Sequence, residues 1–322
     1  MKTNFVKVFN SGAKALATGD GHSILLRHDG SVWSTGSNTY GQLGDGSNSD
    51  RDSFVQVIPS YAEAIAAGAQ HSLVVMHDGS VWATGLNMQG QLGDGSTIHK
   101  SIFVQVIFDG AEAVAASSLH SMVLKQDGSV WATGSNWRGQ LGDGSTDLQT
   151  SFVRVITRGA EAISAGGYHS MVLKQGGRVI VTGDNQYSQL GGGNSEFKSK
   201  FAQVISSGAV AIAAGYEHSM VLNNDGSVWA TGRNNMGQLG NGKPNKFRRT
   251  FEQVFAGGVT AIAAGDWHST VLMQDGSLWG TGANQFGQLG IGSLVNQNIY
   301  VKISSPSPQG AYVVCVDLCI DV

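Results

Sequence analysis

Short apolar runs recur along the chain in one fixed order. A run of small residues such as Ala64-Ile65-Ala66-Ala67-Gly68 leads into a His-Ser pair and an apolar segment, which reaches an Asp-Gly pair and resumes as Val-Trp-Ala-Thr-Gly. A polar stretch patterned Asn-x-x-Gly-Gln-Leu-Gly-Asp-Gly-Ser follows, and a segment like Phe-Val-Gln-Val closes the unit. The His-Ser pair marks the period, because His22, His71, His120, His169, His218 and His268 stand 49, 49, 49, 49 and 50 residues apart. Asp29-Gly30, Asp78-Gly79, Asp127-Gly128, Asp225-Gly226 and Asp275-Gly276 each separate two apolar runs, which is a hairpin signal, and Gly176-Gly177 occupies the same place in the fourth unit. No helical period competes, so each unit predicts four short antiparallel strands. The fold class expected is all-β, a β-propeller of four-stranded antiparallel blades with six complete repeats plus a partial seventh.

Within such a blade the Ala/Gly run suits the innermost strand, where blades converge and leave little room. Trp33, Trp82, Trp131, Trp229 and Trp279 recur at one position farther out, with Ile180 in the fourth unit, and are expected to pack between blades. The chain reads as one domain over 1–322, with units at about 5–53, 54–102, 103–151, 152–200, 201–250 and 251–299, and a partial unit at 300–322. The outer-strand motif is present once too often, at Phe5-Val6-Lys7-Val8 and again at Tyr300-Val301-Lys302-Ile303. Gly310-Ala311-Tyr312-Val313-Val314-Cys315 aligns with the small-residue strand, and no seventh His-Ser or Trp strand follows. Either six blades close the ring, or an incomplete seventh is built from both ends, the arrangement the surplus strand favours.

The succession Gly-x-x-His-Ser, Asp-Gly-x-Val-Trp and Asn-x-x-Gly-Gln-Leu-Gly-Asp-Gly resembles the repeat of the regulator of chromosome condensation family, over residues 5 to about 303. The resemblance implies a propeller, in its usual form seven-bladed. It also implies, as one activity, guanine-nucleotide exchange on a small GTPase. The founding member uses an inserted wedge and a basic tail for that work, and the near-constant spacing here accommodates no wedge. A photoreceptor relative carries a Gly-Trp-Arg-His-Thr motif, whose nearest counterpart is Gly265-Asp266-Trp267-His268-Ser269, with the Trp shifted and the Arg absent. A secreted relative that inhibits β-lactamases presents aromatic loops from one face. Fold class alone does not choose among these.

Alternating strands send the first and third connections of every blade to one face. There the units diverge most. The pair before each His varies from Asp20-Gly21 to Asp266-Trp267, and the pair after each Asn from Thr39-Tyr40 to Gln285-Phe286, whereas the Asp-Gly turns of the other face are nearly uniform. Variable loops on a uniform scaffold are the pattern of a binding face. The candidate contact residues are Tyr40, Met88, Trp137, Arg138, Tyr168, Tyr187, Tyr216, Met236, Trp267 and Phe286, types enriched at protein-binding hot spots.

Composition agrees: 46 glycines, 4 prolines and 41% apolar residues describe a turn-dense, well-cored chain. A net charge of −3 supplies no global field for a phosphate backbone, so nucleic acid is not the expected partner. The one basic cluster, with Lys243, Lys246, Arg248 and Arg249 around Phe247, is a candidate contact loop that also carries the residue extending the last period. Cys315 and Cys319 have neither disulfide-framework nor zinc spacing. No run is long enough for a membrane span, and the first residues lack a signal peptide's apolar stretch, so a cytoplasmic or nuclear protein is expected. The six repeated histidines are expected to be structural, bonding loop backbone, because equivalent positions in a ring are held a blade apart and cannot converge on one metal. No unit carries a distinctive Ser, His and acid set. The sequence therefore predicts a protein-binding scaffold without enzymatic activity, metal or cofactor, and, as the alternative, an exchange factor or regulator of a small GTPase.

Overall fold

The computed structural model describes residues 12–244 and 246–303, and its regular structure there is β-strand throughout. Among these residues no helix is long and apolar enough to cross a membrane. Six separate four-stranded antiparallel sheets follow one another along the chain, each with its strands in sequence order. The first holds β1 (Ala13–Thr18), β2 (His22–Arg27), β3 (Val32–Gly36) and β4 (Arg51–Ile58), and the same order recurs over 62–107, 111–156, 160–205, 209–255 and 259–302. Each sheet is a blade of a six-bladed propeller. Phe5–Val8 and residues from 304 onward, including both cysteines and most of the expected seventh unit, lie outside the described residues.

The sheets cut the chain at a different phase from the sequence units. Tyr300–Lys302, which opens the partial seventh unit, belongs to the strand Gln297–Lys302 and pairs with the Trp279 strand of the sixth blade. Likewise Phe54–Ile58 closes the first blade, pairing with β3.

The hairpins show why Asp, Gly, Ser and Trp recur together. Arg27 N–H bonds to Ser31 O, and Gly30 N–H bonds to Arg27 O, which encloses the three-residue loop His28-Asp29-Gly30. Gly30 takes a φ of 76°, where a Cβ would also lie 2.6 Å from the Tyr61 nitrogen, whereas Asp29 keeps a negative φ. This is a type I turn with a left-handed glycine bulge, one residue longer than the two-residue turn of an Asp-Gly hairpin. The Asp29 carboxylate accepts from Ser31 N–H and Oγ–H at 3.0 and 2.6 Å, and Ser31 Oγ accepts from Trp33 Nε1 at 3.0 Å. The fourth blade lacks all three polar partners, with Gly176, Arg178 and Ile180 in their places.

Five apolar clusters fill the five junctions between successive blades. In one, Leu73, Val75 and Leu92 of the second blade meet Val114 and Val123 of the third, and Trp131 packs against them, as expected for the repeated tryptophans. Polar staples cross the same junctions. His22 Nε2 lies 2.9 Å from Ser72 Oγ of the next blade, and Ser72 Oγ–H donates to Gln42 O, 2.8 Å away. Because the serine hydrogen is committed to Gln42, the histidine must donate from Nε2, which fixes the tautomer. The arrangement repeats at His71–Ser121, His120–Ser170, His169–Ser219 and His218–Ser269. These five histidines are structural, but their partner is a serine of the following blade and not loop backbone, and His268 has no such serine among the described residues.

Candidate functional site

Both variable connections of each blade do emerge on one face, and the long one is held by its own asparagine. Asn38 Nδ2 donates to Asp45 Oδ1, Ser47 O and Ser49 O, while Asn38 Oδ1 accepts from Leu43 N–H. Gly41 and Gly44 let the loop lie against the next blade, where a Cβ would come 2.4 Å from Ser101 Cα and 2.4 Å from the Phe103 ring. Between the asparagine and the first glycine the backbone is held by the loop glutamine, as Tyr40 N–H is by Gln42 Oε1 at 3.0 Å, but the side chains take no part in these bonds. That is why Tyr40, Met88, Trp137, Arg138, Tyr187, Met236 and Phe286 project at the rim.

Four of the expected contact residues form an unbroken aromatic series across four blades. The Trp137 and Tyr168 rings meet edge to face at 5.3 Å, Tyr168 and Tyr216 at 5.6 Å, and Tyr216 and Trp267 lie tilted at 5.3 Å. The Tyr216 hydroxyl donates to Tyr168 Oη at 3.3 Å, and burial followed by this bond pushes the Tyr216 pKa above the ordinary phenol range. Two arginines flank the series. Arg138 lies 4.7 Å over Trp137 and faces Asp184. Arg233 is held between Tyr187 at 4.5 Å and Trp267 at 4.9 Å, and pairs with Glu217. Stacked and paired, these side chains lose little freedom on binding, which favours them as anchors.

The remaining residues stand apart from this series. Tyr40 packs on His99 of the second blade at 5.1 Å, Met236 Sδ accepts from Asn296 Nδ2 at 3.5 Å, and Met88 is exposed on the second blade. Phe286 is 72%, Met88 62% and Trp137 54% exposed, so these three present free apolar surface. In the basic loop, Lys243, Lys246 and Arg249 are exposed, Arg249 lies 5.8 Å over Phe247, and Arg248 pairs with Glu252.

Three ionic members escaped the sequence reading. Asp184 and Arg233 occupy the position just before the loop asparagine, where other units carry Ser37, Leu86, Ser135 and Ala283, so the variation extends one residue earlier than expected. Glu217 sits directly before His218 and was visible only as half of a variable pair. Leu148, Phe197 and Phe247 also hold equivalent exposed positions, each just before its outer strand, and extend the apolar surface outward.

The inner loops surround a central cavity of about 620 Å³ that all six blades line. Its wall is mostly Ala, Gly and Ser, with Asp20, Tyr216, Asp266, Trp267, His268 and Phe286 supplying the larger side chains. The buried histidines are neutral, since desolvation lowers the pKa to about 4 at His22 and His268 and to about 3 at His71, His120, His169 and His218. Each of the five stapled rings is committed to a different blade junction.

The RCC1-like domain model matches residues 2–250, and RCC1 repeat models match 259–288 and 275–315. Human WBSCR16 superposes with a TM-score of 0.84 at 23% identity, over 96% of this chain and 85% of that one. Yeast RCC1 (Prp20), in a structure with Kap60 bound, gives 0.79 at 22% identity over 90% and 74% of the respective chains. Prp20p of Saccharomyces cerevisiae in a second structure gives the same TM-score and identity, with 76% of its chain covered. These likenesses establish the propeller. No curated protein matches the chain by sequence.

Proposed function

Because the chain belongs to the RCC1-like family of repeat propellers, we propose that it is a protein-binding scaffold whose contact surface is the face carrying Trp137, Arg138, Tyr168, Tyr187, Tyr216, Trp267 and Phe286. The aromatic series through Trp137, Tyr168, Tyr216 and Trp267 carries this reading. It joins four blades into one rigid strip, and Trp, Tyr and Arg are the side chains that contribute 2 kcal/mol or more each as interface anchors, on the order found at hot spots. Met88 and Phe286 extend the surface, and the loop with Lys243, Lys246 and Arg249 offers a basic rim for an acidic patch. Fold relatives engage proteins: yeast RCC1 holds Kap60, and the second structure describes Prp20p with its binding to Gsp1p and histones.

Affinity capture tests the face. Full-length protein should retain a partner that Trp137→Ala/Trp267→Ala loses, while Phe108→Ala, an 81% exposed residue on the opposite face, keeps it. Loss with Phe108→Ala and retention with the double variant would overturn the assignment.

Family membership favours a second reading, regulation of a small GTPase as an exchange factor. Under it, substoichiometric protein accelerates release of labelled nucleotide from a GTPase, whereas a scaffold binds at fixed stoichiometry and leaves the rate unchanged. A seventh repeat drawn from residues beyond Lys302 belongs to the same proposal, as the one that would bring the ring to the family's usual number of blades.

A further inference from the structure

Two carboxylates in the mouth of the central cavity face no cation among the described residues. Asp20 and Asp266 occupy equivalent positions in the first and last blades, both exposed, and both line the cavity. The acidic side chains elsewhere in the strip are compensated, Asp184 by Arg138 and Glu217 by Arg233, but among the described residues no ion pair reaches Asp20 or Asp266. Enclosure by the protein, and after it the charge of Asp20, hold the Asp266 carboxyl above its ordinary pKa, as expected of like charges facing one another.

Two further features of the same mouth match a cation. Tyr216 and Trp267 form its wall, and Trp267 already carries the Arg233 guanidinium 4.9 Å over its ring, so this aromatic system accepts a stacked guanidinium. His268 also lines the cavity. Unlike the histidines of the other blades, it has no serine partner among the described residues, and it is neutral, with a free ring lone pair to offer. Planar donors, acidic acceptors and an aromatic wall together select guanidinium over a point-charge ammonium.

We propose that the cavity mouth formed by Asp20, Asp266, His268, Tyr216 and Trp267 is a pocket for an arginine side chain of the protein partner. The pocket deepens the binding-face reading and rests on it. A partner arginine inserted there would supply a counter-charge and align the partner with the axis of the ring, while the aromatic strip holds the surface around it. Asp20 of the first blade and Asp266 of the last thereby become the point of register.

The peptide Ac-Gly-Gly-Arg-Gly-Gly-NH2 and its neutral citrulline counterpart, titrated by ligand-observed NMR against the full chain, test the pocket. The arginine peptide should bind at least tenfold more tightly, and Asp20→Asn/Asp266→Asn should erase that preference while Phe108→Ala preserves it. A melting temperature equal to or above that of the unsubstituted protein would show that the double variant folds. Equal binding of the two peptides, binding of neither, or a preference that survives the double variant would overturn the pocket. A captured partner lost with Trp137→Ala/Trp267→Ala but kept by Asp20→Asn/Asp266→Asn would leave the binding face standing and remove the arginine pocket alone.

Discussion

His71 Nε2 and Ser121 Oγ lie 2.8 Å apart across the junction of the second and third blades, both fully buried. Ser121 in turn donates to Gln91 O at 2.7 Å, so one hydroxyl joins an inner strand to the preceding blade's long loop. Ser121→Ala strips His71 of its acceptor and Gln91 of its donor at once. The expected cost is about 1–3 kcal/mol for the orphaned buried groups, measurable as a lowered midpoint in chemical denaturation. Ser23→Ala, at the equivalent position of the first blade where no preceding histidine exists, should cost much less.

The same histidines set an acid limit. In the folded protein they stay neutral down to about pH 4 at His22 and His268, and to about pH 3 at the four central ones, against 6.5 in their ordinary state. Below pH 6.5 the unfolded chain therefore binds protons that the folded chain refuses. The stability these rings contribute is complete above that value and is lost as pH falls toward the folded pKa values, at up to roughly 1.4 kcal/mol per pH unit for each ring. Melting temperature measured from pH 7.5 to 4.5 should fall steeply below pH 6, and His71→Asn should flatten the slope. A flat profile would show that the rings are not held neutral.

Arg233 is expected to behave as a fixed part of the strip. Its side chain lies between two aromatic rings and bonds to Glu217. Arg233→Ala should lower stability by about 1–3 kcal/mol through lost stacking and an unpaired Glu217. Arg233→Lys should recover only part of this, because an ammonium keeps the charge without the planar fork. Denaturation of the three proteins side by side decides it, and full recovery by lysine would reduce the site to a simple ion pair.

The fourth blade offers a gain. Gly176, Arg178 and Ile180 stand where its neighbours carry the Asp, Ser and Trp of the hairpin relay, and nothing lies within 4 Å of a Cβ built on Gly176. Gly176→Asp/Arg178→Ser/Ile180→Trp supplies the whole relay, removes one glycine's freedom from the unfolded chain and turns residue 176 from its φ of 79° to the negative φ that Asp29 keeps. A gain on the order of 1 kcal/mol is expected. Gly176→Asp alone should be neutral or harmful, since the present φ of 79° suits glycine and the serine partner is missing.

Much of the architecture was legible because each unit repeats its own local chemistry. The Asp-Gly pairs located the hairpins, and the period located the blades. The turn type was not legible, because it depends on the residue before the aspartate joining the loop, as His28 does. Blade phase was hidden for a related reason: Phe54–Ile58 reads equally well as the start of one unit or the end of another until its pairing with β3 is seen. On the loop face, the aromatic positions followed from comparing units, whereas Arg233 and Glu217 matter through a contact between two different connections of one blade. The serine partners of the histidines were invisible for the same reason, since the two ends of each staple lie 50 or 51 residues apart.

Every staple also runs in one direction, from the histidine of one blade to the serine of the next. Mechanically the molecule is a row of couplings with a head and a tail. Pulled by its two ends in a force spectrometer, it should yield a sawtooth in which each rupture releases one period of 49 residues, roughly 170 Å of contour. The two ends fail differently. Detaching the first blade frees one buried imidazole, His22, to take up a proton, whereas detaching the sixth frees two, His268 within it and His218 on the blade it leaves. Mild acid therefore acts as an uneven ratchet, easing the release of the sixth blade and resisting its return more strongly than it does for the first.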